Sequence, residues 1–148
     1  MRIKSLALGL VLALACAGAA QAADDSIGQV KTKKGDVLVL RQGQAKPLNV
    51  GDHVLQSDTV KTEKGASVGI TFLDNSMMSL GPASELALDE FKFNSTTREG
   101  VFNTRLAKGT LAVKSGQIVQ QRPETMHIRT PAALLGVRGT EFVVNAGG

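Results

Sequence analysis

Short apolar alternations, separated by glycine and other turn residues, constrain the fold of this chain more than any other feature of its sequence. The clearest example is the segment 67–73, where Val68, Ile70 and Phe72 fall on one face of a strand. Asp74-Asn75 follows, and both residues tolerate the positive φ of a tight hairpin turn. This pattern predicts a strand that leads into a hairpin, with the return strand beginning at Met78.

The same alternation predicts further strands at 37–41, 109–114, 126–129 and 141–145. The segment 84–93 is ambiguous, because it contains good helix formers. Its apolar residues nevertheless fit two short strands with a break at Asp89-Glu90 better than a helical period. We therefore expect an all-β fold, built from short antiparallel strands in a single domain.

The N-terminal segment 1–22 has the features of a secretory signal peptide. Arg2 and Lys4 precede an uncharged run at 6–15, which is shorter than the roughly 20 apolar residues needed to span a bilayer. Ala20-Gln21-Ala22 is the small-x-small pattern of a cleavage site. We expect cleavage between Ala22 and Ala23, a periplasmic or secreted product, and no transmembrane helix in the mature chain.

Cys16 offers an alternative route to the membrane, since a cysteine after the apolar run of a signal can accept a lipid anchor. The residues before it, Ala13-Leu14-Ala15, match the usual lipoprotein signal imperfectly. The cleavage motif at 20–22 is the better match, so a free mature chain is preferred over a lipid-anchored one.

The composition argues against some structural and functional classes. Cys16 is the only cysteine, so the mature chain cannot form an internal disulfide. The full chain has 17 Lys and Arg against 13 Asp and Glu, and two of those cations, Arg2 and Lys4, lie in the signal. Trp and Tyr are absent. Interspersed charges without flat aromatic side chains argue against a nucleic-acid partner.

No motif for catalysis, cofactor or metal binding is recognisable. His53 and His127 are the only histidines, and neither has a second ligand nearby in sequence. No Gly-x-Ser-x-Gly elbow occurs, and Asp52, Asp58 and Asp74 are too scattered for a calcium loop. We expect neither an enzyme nor a cofactor or metal site.

A series of short motifs extends from about residue 51 to 146. The most specific part is Ile128-Arg129-Thr130-Pro131-Ala132-Ala133, followed by Gly136-Val137-Arg138-Gly139-Thr140-Glu141-Phe142-Val143-Val144. The other stretches are Gly51-Asp52, Asp58-Thr59-Val60-Lys61-Thr62, Gly65-Ala66-Ser67 and Leu80-Gly81-Pro82-Ala83-Ser84-Glu85-Leu86. On these residues the sequence resembles the FecR domain of bacterial cell-envelope regulators.

The resemblance implies twisted, partly solenoid-like β-sheets in the periplasm, with a β-rich lead-in at 23–50 and the FecR-like domain at 51–148. In full-length relatives this domain belongs to a transmembrane regulator that signals to a cytoplasmic sigma factor. We expect neither a cytoplasmic nor a transmembrane part in this chain. The role that carries over is that of a non-catalytic protein-binding or sensing module in the cell envelope, with another envelope protein as partner.

Four residues are candidates for partner contact: Arg129, Arg138, Phe142 and Val144. For Arg138 a structural role, such as pairing with Glu141, is the stronger alternative. Phe142 and Val144 lie in the last predicted strand, whose edge we expect to be open to strand addition. A structural or surface-assembly component remains the alternative function, and only the export signal favours an envelope enzyme.

Overall fold

The computed structural model describes residues 25–137 and 139–147. The predicted signal peptide at 1–22, the cleavage site at Ala22 and Ala23, the alternative lipid acceptor Cys16, and Arg138 all lie outside the described residues. The helices in the described ranges are all too short or too polar to cross a bilayer.

Twelve strands dominate the part of the chain that the structure describes, in which a short α-helix and a 3-10 helix at Pro123–Thr125 also occur. The elements are β1 (Ser26–Lys34), β2 (Val37–Arg41), β3 (Gln44–Pro47), β4 (His53–Leu55), β5 (Thr59–Thr62), β6 (Ser67–Phe72), β7 (Met77–Leu80), β8 (Glu85–Phe93), β9 (Gly100–Lys114), α1 (Gln117–Gln121), β10 (Met126–Arg129), β11 (Leu134–Gly136) and β12 (Glu141–Gly147).

The strands form one curled network in which two sheets share β9. The first sheet has the order β4-β1-β6-β7-β9-β12, and the second has the order β3-β2-β5-β8-β9-β10-β11. All strand pairs are antiparallel except β10 with β9, which is parallel. The predicted all-β class is thus confirmed.

The long strand β9 passes from one sheet to the other at Gly109. Its first part pairs with β8 up to Lys108, and its last part pairs with β7 from Leu111 onward. Gly109 has φ +88, and a Cβ added there would lie 2.6 Å from Ser84 Cα. Only glycine satisfies both the left-handed backbone and this close approach, so Gly109 fixes the bend that joins the sheets.

The inward faces of both sheets share one hydrophobic core. Alternate residues of β6 are buried, because successive side chains of a strand point to opposite faces. At the centre, the Phe102 ring packs edge-on against the rings of Phe72 and Phe91, with centroids 4.7 and 4.8 Å apart. These three rings come from β6, β8 and β9, so they join the two sheets through the core.

Two polar contacts fix loops against the strands. The Arg41 guanidinium pairs with the buried carboxylate of Asp58 through bonds of 2.9 and 2.7 Å, and the Leu55 N–H donates to the same carboxylate at 2.8 Å. The hydrogen bond to Asp58 is the main cause that raises the pKa of Arg41 above its usual range. In the turn after β6, the buried Asp74 accepts hydrogen bonds from the start of α1.

Most predicted strands occur where the alternation places them, including β2, β6 and β10. The segment 84–93 corrects one expectation. It forms the single strand β8, and the expected break at Asp89-Glu90 is a bulge in the pairing with β9 between Ala87 and Glu90. The extra residue disturbs the local alternation while the hydrogen-bonded ladder continues on both sides. The predicted strand 109–114 is the last part of the longer β9.

Candidate interaction surface

The most specific motif of the sequence builds the hairpin of β10 and β11. β10 ends at Arg129, and Pro131, which lacks an N–H, prevents its continuation. Thr130 closes the turn, since its N–H donates to the Ala133 carbonyl at 2.8 Å and its Oγ1 accepts from the Ala133 N–H at 3.1 Å. The Thr-Pro-Ala-Ala sequence therefore has a direct structural role as a hairpin turn.

The second strand of this hairpin presents apolar side chains to solvent. Leu134 is 58% exposed and Leu135 is 37% exposed. The first strand instead buries Met126 and Ile128 completely in the core. Large apolar side chains left outside a core are candidates for contact with another molecule.

A groove of about 390 Å³ lies beside this hairpin on the outer face of the second sheet. Asn103 connects two other lining residues: its Nδ2 donates to Glu90 Oε2 at 3.0 Å, and its Oδ1 lies 3.3 Å from His127 Nδ1. Since an amide oxygen only accepts, this contact requires the proton to be on His127 Nδ1. The remaining lining residues are Asp89, Thr104, Arg129 and Leu134.

The charges around the groove are arranged by strand. Asp89 and Glu90 come from β8, and the Asp89 carboxylate pairs with Arg105 at 3.5 Å. Arg129 lies on the β10 side and is exposed. In the described ranges Arg129 forms no ion pair and no side-chain hydrogen bond. The groove thus has an acidic side, whose carboxylates pair with Arg105 and Lys92, a basic side at Arg129, and an apolar rim at Leu134.

The last strand, β12, forms a second exposed feature. It pairs with β9 through residues 141–147, and in the described part of the chain no strand pairs with its other edge. Its side chains alternate: Val144 is buried and Phe142 is half-buried against the core, whereas Val143 is 68% exposed. The accessible parts of β12 are therefore its backbone edge and the exposed side chains of Glu141, Val143 and Asn145.

The predicted contact residues do not form one site. Arg129 lines the groove, while Phe142 and Val144 belong to β12 and point inward. β10 and β12 pair with different halves of β9, on the side opposite to β8 and β7. Arg138 lies outside the described residues. A contact role for these residues stays a prediction.

Several exposed residues were not predicted from sequence. Leu134 and Leu135 lie between the two stretches of the most specific motif, and such adjacent leucines are an available signal. The groove combines Glu90, Asn103 and His127, which are brought together only by the pairing of β8, β9 and β10. In the part of the chain that the structure describes, no three His, Cys, Asp or Glu side chains are grouped to hold a metal ion.

Comparison with known proteins gives one match. A family model described as FecR protein matches residues 58–148, which include β5 to β12 and the signature hairpin. No curated protein and no solved structure shows significant similarity to the chain.

Proposed function

Because the chain belongs to the FecR family, a non-enzymatic signalling and sensing family, we propose that it acts as a protein-binding or sensing module in the bacterial cell envelope. The proposal assigns it to the periplasm or the cell exterior, with another envelope protein as its partner. The apolar N-terminal segment 1–22 and the cleavage motif before Ala23 support export.

The observation that carries the proposal is the exposure of the β10–β11 hairpin. In this hairpin Leu134 is 58% exposed, lies opposite Arg129 in the strand pairing and lines the same groove as Arg129. An exposed leucine next to an exposed arginine resembles the anchor residues of protein interfaces, which combine apolar contact with arginine.

Substitution of Leu134 tests the proposal, and Leu73 supplies a matched control. Leu134 and Leu73 are 58% and 59% exposed, so lysine at either position leaves the core intact. We expect Leu134→Lys and Arg129→Ala to reduce recovery of the cross-linked partner from envelope extracts at least about fivefold, a loss of about 1 kcal/mol of binding. Leu73→Lys should recover the partner as well as the unmodified chain does.

Equal recovery by all three variants would overturn the assignment of the hairpin as the contact surface. Absence of any specific cross-linked protein in a range of envelope extracts would overturn the binding function itself. The folded state of each variant is checked by circular dichroism, so that unfolding is not mistaken for loss of a contact.

The alternative function is a structural or surface-assembly component. The open edge of β12 favours it, because an unpaired strand can add further strands. Large assemblies that form from the purified chain alone, and that persist with Leu134→Lys, would favour this alternative over sensing.

Export and anchoring have a separate test. We propose cleavage before Ala23 without lipidation of Cys16, and the intact mass of the exported protein distinguishes the two routes. A mass that begins at Ala23 supports the proposal, whereas an acylated species that begins at Cys16 would replace it with a lipoprotein.

A further inference from the structure

The edges of the two sheets are protected unequally. In the described part of the chain, the strands at the edges are β3, β4, β11 and β12. β3 carries Lys46 and Pro47, which discourage further pairing, and β4 and β11 have three residues each. β12 has seven residues, with neither lysine nor proline and with the exposed Val143 at its third position. β12 is therefore the edge on which another strand fits best.

The backbone groups that face this edge follow from the pairing of β9. The Thr110 carbonyl accepts a hydrogen bond from the Gly81 N–H, so the backbone N–H and carbonyl groups of Thr110 and Ala112 point toward β7. The backbone groups of the alternate residues Leu111 and Val113 point the other way, toward β12, where these residues lie opposite Val144 and Phe142. The N–H and carbonyl groups of Glu141, Val143 and Asn145 consequently point away from β9, toward the free edge.

We propose that the occupant of this edge is a second copy of the same chain, added antiparallel to β12 about a twofold axis at Val143. In this register each exposed Val143 covers its counterpart. Glu141 of each copy lies opposite Asn145 of the other. Each facing pair exchanges two backbone hydrogen bonds.

The side chains of β12 are complementary to themselves in this register. Asn145 Oδ1 already accepts from the Gly147 N–H at 2.8 Å, which leaves its Nδ2 as a donor. The Glu141 carboxylate, whose side chain is 70% exposed, is an acceptor within reach of that donor on the opposite copy. No like charges oppose each other, since Glu141 is the only charged residue of β12.

The same geometry limits the assembly to two copies. A twofold contact uses the same edge on both partners, so pairing leaves no β12 edge free for a third chain. This inference rests on β12 alone and does not depend on the partner proposed for the β10–β11 hairpin.

A cysteine at position 143 tests the register directly. In a Cys16→Ser background, Val143→Cys gives the exported chain a single cysteine on the proposed axis. Two facing residues of a hydrogen-bonded antiparallel pair have Cα atoms about 5.5 Å apart, within the range of a disulfide. Asn145→Cys places its two copies on the order of 13 Å apart, too far for a bond.

We expect Val143→Cys to form a covalent dimer under mild oxidation, while Asn145→Cys and Leu73→Cys remain uncrosslinked. Light scattering should show the unmodified chain as a concentration-dependent dimer. Val143→Lys should raise the dissociation constant of the dimer at least about tenfold. Leu73→Lys and Leu134→Lys should leave this dissociation constant unchanged. If Leu134→Lys loses binding to the envelope partner but still forms the dimer, the hairpin contact and the β12 contact are independent.

A chain that stays monomeric to high concentration would overturn the proposal. Cross-linking of Asn145→Cys or Leu73→Cys as readily as Val143→Cys would also overturn it, because the contact would then lack the β12 register. A dimer that Leu134→Lys disrupts and Val143→Lys does not would place the contact on β11 instead.

Discussion

The carbonyl oxygen of Asp74 accepts a hydrogen bond of 2.7 Å from the N–H of Gln117, the first residue of α1. The Asp74 side chain is fully buried, and its Oδ2 accepts from Ser76 Oγ at 2.7 Å and from the Ile118 N–H at 3.4 Å. One residue in the turn between β6 and β7 thus satisfies donors at the start of a helix more than forty positions later.

Replacement of Asp74 by alanine should lower the free energy of unfolding by about 3 kcal/mol. The buried N–H and hydroxyl groups of Ser76 and the N–H of Ile118 would lose a charged acceptor, and water cannot replace it in the core. Urea denaturation followed by circular dichroism measures the change. Asp89→Ala removes an exposed carboxylate that pairs with Arg105 at 3.5 Å, and it should change stability by less than about 0.5 kcal/mol.

Gly109→Ala should destabilise the protein by about 3 kcal/mol. The added Cβ would overlap the Ser84 side chain, and alanine also disfavours the positive φ of this position. Gly136→Ala is the matched control, because no atom of the described residues lies within 4 Å of its added Cβ and its φ is not in the left-handed region. Similar melting temperatures for both variants would contradict the role of Gly109 in joining the sheets.

Arg41→Met should lower the free energy of unfolding by about 2 kcal/mol, because it leaves the buried Asp58 carboxylate without its cation. The loss stays below that of a fully buried pair, since the Arg41 side chain is 30% exposed. Lys61→Met, which removes the exposed partner of Glu85, should have an effect below about 0.5 kcal/mol. The double variant Arg41→Met/Asp58→Asn removes the charge and keeps an acceptor for the Leu55 N–H, so it should recover part of the lost stability. No recovery would mean that the charge pairing is not the cause.

Phe102→Ala should be among the most destabilising core substitutions, at about 4 kcal/mol, since it removes the ring that contacts both Phe72 and Phe91. Phe93→Ala, at a half-buried position at the end of β8, should have a clearly smaller effect. Equal losses in chemical denaturation would show that the Phe102 ring is not central to the core.

Local patterns predicted the strands whose alternation is uninterrupted. Ser67–Phe72 and Met126–Arg129 are examples, because their burial depends only on which face of a sheet each side chain occupies. The segment 84–93 was harder to predict, since its bulge shifts the apolar residues of one strand into two registers. Helix α1 was missed, because it is five residues long and its N-terminus is satisfied by Asp74.

The candidate surface was predicted only in part. Arg129 was recognised within its motif, and the structure places it at the groove. Its neighbours Glu90 and Asn103 come from other strands, so their proximity depends on pairings between residues that are distant in sequence. For β12, the sequence predicted a strand with an open edge, whereas the direction of Phe142 and Val144 toward the core required the structure.

Strand β9, which belongs to both sheets, also determines how the protein unfolds. β9 supplies the ladder partners of β7 and β12 in one sheet and of β8 and β10 in the other. If β9 leaves one sheet, the inner face of the other sheet is exposed to solvent. Partial unfolding therefore gains chain entropy only if the whole core is lost. Amides in both sheets should therefore exchange with solvent through the same global opening, and unfolding should be a single cooperative transition.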